Sequence, residues 1–133
     1  MTLREIYTYL ESLAQDIPDI RTTLENDVLK LNTMRGVEYG VFAVTQNTHT
    51  SSPGWMRFNL NLFYIDRLTN SGDNEVQVQS HAIEVLQNLL RKAEELQVDE
   101  VRYTTFTNRF QDLCAGAWAE VVLETPESEC AEL

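Results

Sequence analysis

Basic residues are scarce in this sequence: ten Lys and Arg stand against twenty-one Asp and Glu, a formal net charge of −11. That balance disfavours adhesion to a phosphate backbone through a general basic surface. Cysteine is scarcer still, with only Cys114 and Cys130. They make no disulfide framework, and neither has a second Cys or a His at metal-ligand spacing, which argues against zinc. Cys114, between Leu113 and Ala115, reads as a small buried hydrophobe. Cys130 lies among carboxylates that disfavour the reactive thiolate. Five glycines are too scattered to form a phosphate-cradling loop. No apolar run approaches the roughly 18 residues of a membrane-spanning helix. The opening Met1-Thr2-Leu3-Arg4-Glu5-Ile6-Tyr7 lacks the pattern of a signal peptide, so the chain is expected to stay where it is made.

Histidine is limited to His49 and His81. Neither stands beside a Ser or Cys nucleophile motif, and each reads as a solvated or packed residue. Asp66, Asp73 and Glu75 lack the spacing of a calcium loop and are explained by capping and solvation. The expectation is thus a protein that is not an enzyme, needs no metal or organic cofactor, and works by assembling with other protein surfaces.

What is present fits one domain. At 133 residues the chain lies within the usual range of about 50–250. Its 43% hydrophobic content is enough for a core that removes roughly two-thirds of the unfolded chain's surface from water. Leu3, Ile6, Tyr7, Leu10, Leu13, Ala14 and Ile17 recur at the spacing of one helix face. Thr2 and Glu5 are placed for a capping box, and Pro18 stops the helix. Val28 to Leu31 is a weak strand, and Val37 to Ala43 alternates better. Residues Gln46 to Gly54, rich in Thr and Ser, read as an exposed loop between antiparallel strands. The clearest strand runs from Trp55 to Asp66. It has Met56, Phe58, Leu60, Leu62 and Tyr64 on one face and Arg57, Asn59 and Asn61 on the other. Phe63 and Ile65 on that second face predict that its far end is covered on both sides.

After a turn at Asn70–Asn74, with Asp73 or Asn74 as N-cap, a long helix is expected from about Glu75 to Gln97. Its stripe is Val76, Gln79, Ala82, Ile83, Leu86, Leu89, Leu90, Ala93 and Leu96. Val101 to Phe106 reads as a strand, Asn108 to Leu113 as an irregular or short helical link, and Trp118 to Thr125 as the last strand. Glu127 to Leu133 is an acidic tail without periodicity. The predicted fold is α+β: an antiparallel sheet of four to five strands with an N-terminal helix and one long helix packed on one face. One domain spans residues 1–126.

Two constellations stand out. Asp66 and Arg67 end the clearest strand, and Arg109 and Asp112 sit between the last two. Each is either a local ion pair, worth about 0–1 kcal/mol if exposed, or a contact to a neighbouring subunit, where Arg is favoured. Trp55 and Trp118, read as opening strands, are explained first by core packing and second as interface anchors. His49 and Trp55 join these arginines and aspartates as interface candidates through the polar loop that carries or adjoins them.

The stretches Tyr64-Ile65-Asp66-Arg67-Leu68, Asp73-Asn74-Glu75 leading into Val78-Gln79-Ser80, and Arg109-Phe110-Gln111-Asp112-Leu113 with Ala115-Gly116-Ala117-Trp118 resemble small neck and tail proteins of tailed bacteriophages. The likeness is strongest to those of Bacteroidetes and crAss-like phages, and the element order resembles that of tail terminator (tail completion) proteins. The resemblance spans about Leu3 to Pro126. It implies a virion protein of the neck or tail, made in the host bacterial cytoplasm. Such a protein forms a ring, usually hexameric, with itself and other neck and tail proteins, and DNA passes nearby without specific binding. It implies no catalytic residues. Small size and negative charge fit equally an acidic intracellular module, such as an immunity, inhibitor or chaperone protein, that masks a basic partner.

Overall fold

The computed structural model describes residues 1–26, 37–68, 74–107 and 113–126. The fold is α+β: an N-terminal helix and one long helix packed on a six-stranded, mostly antiparallel mixed sheet. In chain order the elements are α1 (Leu3–Gln15), β1 (Thr22–Glu25), β2 (Val41–Gln46), β3 (Thr50–Ser52), β4 (Trp55–Arg67), α2 (Glu75–Lys92), β5 (Gln97–Thr107) and β6 (Cys114–Pro126). The sheet order is β1-β2-β4-β6-β5, with β3 also paired to β4.

Helix α1 begins as its sequence requires. The Thr2 hydroxyl accepts from the Glu5 amide at 3.2 Å, and the Glu5 carboxylate accepts from the Thr2 amide at 2.9 Å. This capping box satisfies two of the donors a helix start leaves open. The helix buries Ile6, Tyr7, Leu10 and Ala14. These join Ala82, Val85, Leu86 and Leu89 of α2 and Phe42, Leu60, Leu62, Tyr64, Ala119 and Val121 of the sheet in the main core cluster. Both helices therefore lie on one face of the sheet, as expected.

Strands β4 and β6 form the spine, paired over thirteen residues from Trp55 against Pro126 to Arg67 against Cys114. On β4 the residues facing the helices are buried from Phe58 to Tyr64. Ile65 is also fully buried, within a second cluster on the opposite face that includes Val41, Phe106 and Cys114 and is flanked by Phe63 and Trp118. The expected double coverage at this end of β4 is present. Cys114 is buried, in keeping with its reading as a small hydrophobe.

Several expectations are corrected. The sheet has six strands rather than four to five, because β1 and β3 were not foreseen. Strand β1 is four residues long and parallel to β2, so the sheet is mixed. The better of the early strands runs from Val41 to Gln46, not from Val37 to Ala43. Val41, Phe42, Ala43 and Val44 are all buried, and a strand covered on both faces carries no alternation to mark its bounds. Residues 46–54 are exposed but not simply a loop, since they include β3 and form a hairpin with β4.

Helix α2 starts at Glu75 as expected, with Asn74 as the N-cap residue. It ends at Lys92, five residues short of the expected Gln97, which instead opens β5. Eighteen residues give a rise of about 27 Å. Val76 in its first turn is 71% exposed, while Val85, outside the expected stripe, is buried. The side-chain amide of Gln79 donates to the Phe106 carbonyl at 3.2 Å and to the Thr107 hydroxyl at 2.9 Å, tying the helix to the end of β5. The last strand begins at Cys114, so Trp118 lies inside it rather than at its start. The predicted weak strand at Val28–Leu31, all of the predicted Asn108–Leu113 link except Leu113, and the tail at 127–133 fall outside the described residues.

Candidate interaction surfaces

Among the described residues no helix covers the second face of the sheet, and that face divides into two zones. Near the Trp55 end of β4 it is polar. Arg57 reaches Asp99 on β5 at 2.8 Å and Glu124 on β6 at 3.4 Å. Asn59 donates to the Glu120 carboxylate at 3.2 Å, and Asn47 bonds Asn59 and Asn61 at 3.0 Å. Arg102 pairs with Glu100 at 3.2 Å. These exposed ion pairs are each worth about 0–1 kcal/mol, so they order the surface more than they hold the fold. Toward the other end the face is aromatic: Trp118 lies 5.5 Å from Phe63 and stacks on Phe106 at 5.8 Å between ring centroids.

A hairpin arm, β3 with the start of β4, borders this polar zone, with β6 paired along its other side. Gln46 faces Leu60 and Thr50 faces Arg57. The β2–β3 side thus advances four residues while β4 advances three, which is one extra residue and hence a bulge. Two side chains fill it. His49 accepts the Asn59 amide through Nδ1 at 3.2 Å, approaches Gln46 Oε1 through Nε2 at 3.0 Å, and sets its ring edge-on to Phe58 at 5.2 Å. Asn47 bridges the asparagines of β4. The arm turns at Pro53-Gly54, where Gly54 has φ +84°, a conformation that glycine adopts without steric cost. Trp55 stands at this tip, 44% exposed.

Between α1 and the strand edge lies a groove of about 310 Å³, lined among the described residues by Leu3, Arg4, Tyr7, Asn26 and Gln46. The Arg4 guanidinium grips Glu25 with two bonds, at 2.6 and 3.2 Å, and lies 5.8 Å from the centre of the Tyr7 ring. Tyr7 donates to Asn26 Oδ1 at 2.5 Å, and Gln46 donates to the same oxygen at 3.1 Å. Beside the groove, Glu11 Oε1 is buried and has no donor among the described residues. Its neighbour is the Glu25 carboxylate, and two carboxyl groups bond each other only when one holds a proton. Burial first, and then Glu25, push the Glu11 carboxyl up to about 7.

The sign of the linkage follows. A carboxyl whose folded pKa is raised stabilises the fold while protonated, and that contribution is lost as pH rises from about 4.5 through about 7. Glu11→Gln keeps the neutral form and supplies an amide donor toward Glu25. It is expected to stabilise the protein at pH 8 by about 1 kcal/mol, a figure reduced for partial exposure. The gain over the parent should vanish near pH 4.5. Thermal melts at both pH values check it, and equal gains at the two would refute the carboxyl pair.

The interface candidates read from sequence are dispersed. Asp66 accepts the backbone amide of Arg67 at 2.8 Å, while the Arg67 guanidinium stacks 5.4 Å from the Tyr39 ring centre. Arg109 and Asp112 lie outside the described residues. His49 sits half-buried in the bulge, as a packed residue. Trp55 is exposed rather than core, which reverses the first explanation given for it, whereas Trp118 packs among aromatics. His81 bonds Asp19 at 2.7 Å and meets Tyr64 edge-on. Burial, with Asp66 and Asp19 adding to it, pushes the Tyr64 phenol up. The groove residues were missed by sequence reasoning. No protein-family model and no curated protein matches the chain, so no relative's activity bears on these surfaces.

Proposed function

We propose that the chain is a structural subunit of a bacteriophage virion, a ring-forming protein at the neck or the top of the tail. The observation that carries this reading is the β3–β4 turn at the sheet edge, where Trp55 stands exposed at the end of a run of uncharged residues, 46–55. An exposed tryptophan among uncharged residues suits contact with protein. The resemblance of the Tyr64–Leu68 and Ala115–Trp118 stretches to phage neck and tail proteins supports it, and so does the charge. Each copy adds −11, and a ring of such copies would repel a passing DNA duplex rather than grip it.

A second reading rests on the polar zone of the helix-free face. There Asp99, Glu100, Glu120 and Glu124 outnumber Arg57 and Arg102, and an acidic module that masks a basic partner would present such a surface. Sedimentation and negative-stain imaging of the purified protein separate the two. A ring subunit is expected to form closed oligomers of uniform copy number, alone or with its tail-tube partner. A monomer under both conditions would overturn the ring.

A further inference from the structure

We infer that His49 is an acid-sensitive latch on the hairpin that carries Trp55: neutral, its ring closes the bulge between β2 and β3, and protonated it cannot. The inference goes beyond the ring proposal and holds for a ring subunit and an acidic module alike. The bulge creates the need for a latch. The Asn59 carbonyl accepts the Asn47 amide at 2.8 Å, so both backbone groups of Asn59 point toward the β2–β3 side. In a regular ladder the Asn59 N–H would meet a carbonyl of that side. The extra residue between Gln46 and Thr50 breaks the register, and His49 Nδ1 stands in as the acceptor at 3.2 Å.

These bonds fix the protonation state of the ring. A nitrogen that accepts a backbone N–H carries no proton, so the neutral imidazole holds its single proton on Nε2. That nitrogen lies 3.0 Å from Gln46 Oε1 and donates to it. The orientation of Gln46 agrees, because its Nε2 donates to Asn26 Oδ1 at 3.1 Å and leaves Oε1 for His49. Asn26 Oδ1 also accepts the Tyr7 hydroxyl, which extends the series to α1. An imidazolium has two N–H donors and no acceptor. In this place it would set Nδ1–H against the Asn59 N–H, donor against donor, and the part-buried Asn59 amide would lose its partner.

Nothing charged is set against the ring to offset a second proton. Its bonded and packed neighbours among the described residues are Gln46 of β2 and Asn59 and Phe58 of β4. Tyr7 is the titratable member of the bonded series, and beyond it Arg4 of α1 and Glu25 of β1 bind each other. Arg57 of β4 is directed to Asp99 and Glu124 on the other face of the sheet. Past the bulge, β3 has only Thr50, Ser51 and Ser52, all exposed. So short a ladder holds weakly alone. Two side chains flank it, His49 beside Phe58 and Asn47 on the asparagines of β4. Protonation removes the first of them and loosens the strand that leads to Trp55.

Amide hydrogen exchange of the full chain, read at the Asn47 and Asn59 amides and corrected for the intrinsic effect of pH, tests this. Because the Glu11 carboxyl titrates in the same range, every measurement is made in a Glu11→Gln background. Between about pH 8 and 5, where imidazole takes up its proton, protection of both amides is expected to fall at least about tenfold in a single-proton transition. The Leu62 and Val121 amides, in the core of the β4–β6 pairing, should keep theirs. His49→Gln offers a carbonyl acceptor and an amide donor that do not titrate, so the transition should disappear. His49→Ala should exchange fast at pH 8 as well as at pH 5, and His81→Gln should behave as the background does. Equal protection at the two pH values overturns the inference. So does a transition that survives in either His49 variant, a His49→Ala protein as protected at pH 8 as its background, or a loss at pH 5 shared equally by Leu62 and Val121.

Discussion

Gly116→Val is expected to destabilise the fold by at least about 3 kcal/mol, the upper part of the range for forcing atoms into a packed site. Gly116 lies in β6 opposite Ile65 of β4, within the thirteen-residue pairing at the centre of the sheet. A Cβ built there would stand 2.0 Å from the Tyr64 carbonyl oxygen and 3.1 Å from the Ile65 Cα. Both are backbone atoms of the central strand, so no side-chain rotation can relieve the clash. The strands would have to part or slip, and a one-residue slip carries every core residue of β4 to the wrong face. Gly54 gives the contrast, because a Cβ there meets nothing within 4 Å. Gly54→Asn should therefore cost little, since Asn tolerates positive φ. Denaturant titration of both variants checks the pair, and a Gly116→Val protein as stable as the parent would mean that β4 and β6 approach differently.

Gly116 also shows how far the sequence could be read. Ala115-Gly116-Ala117 has no hydrophobic alternation, so the last strand seemed to start at Trp118. The missing bulk is what lets β6 lie close to β4, and small residues in a spine strand look like a loop when the partner strand is unknown. Strand β2 was shifted for the opposite reason: Val41 to Val44 is buried on both sides, and continuous burial blurs a strand's ends. The amphipathic elements were legible in proportion to their asymmetry. Helix α1 and the first part of strand β4 each have one wet and one dry face, and both elements matched closely.

The interaction surfaces divide in the same way. Arg57, Asn59 and Asn61 were readable as one polar face because they belong to one strand. The groove joins Leu3, Arg4 and Tyr7 of α1 to Asn26 and Gln46, positions brought together only by the parallel placement of β1 beside β2. That parallel pair has no local signal, since its partners are joined by a long connection rather than a turn. The exposure of Trp55 was hidden for a related reason. An aromatic at the head of an apolar strand reads as core until the sheet order shows that its neighbours there are Ser52 and Pro126.

Leu86→Ala, in the middle of α2, is expected to cost about 2–5 kcal/mol and lower the melting temperature by on the order of 10 °C. Leu86 is fully buried in the cluster that unites α1, α2 and the sheet. The cost depends on whether neighbours can close the cavity, and here they are held from three directions. Residues of α1 bound the cluster on one side. Beneath, β6 presents Ala117 and Ala119, side chains with no torsion that could swing them into a void. The helix itself is kept from settling toward the sheet by Gln79, which is hydrogen-bonded to the end of β5. Leu60→Ala in β4 removes an equally buried side chain from the same cluster and should fall in the same range. Val76→Ala on the exposed first turn of α2 should change stability by no more than about 0.5 kcal/mol. An unchanged denaturant slope in the two core variants would place the loss in the folded state rather than the unfolded chain. If Leu86→Ala melts with the parent while Val76→Ala does not, the helix is rotated about its axis, and the face assigned to the core is the one that meets solvent or a neighbour.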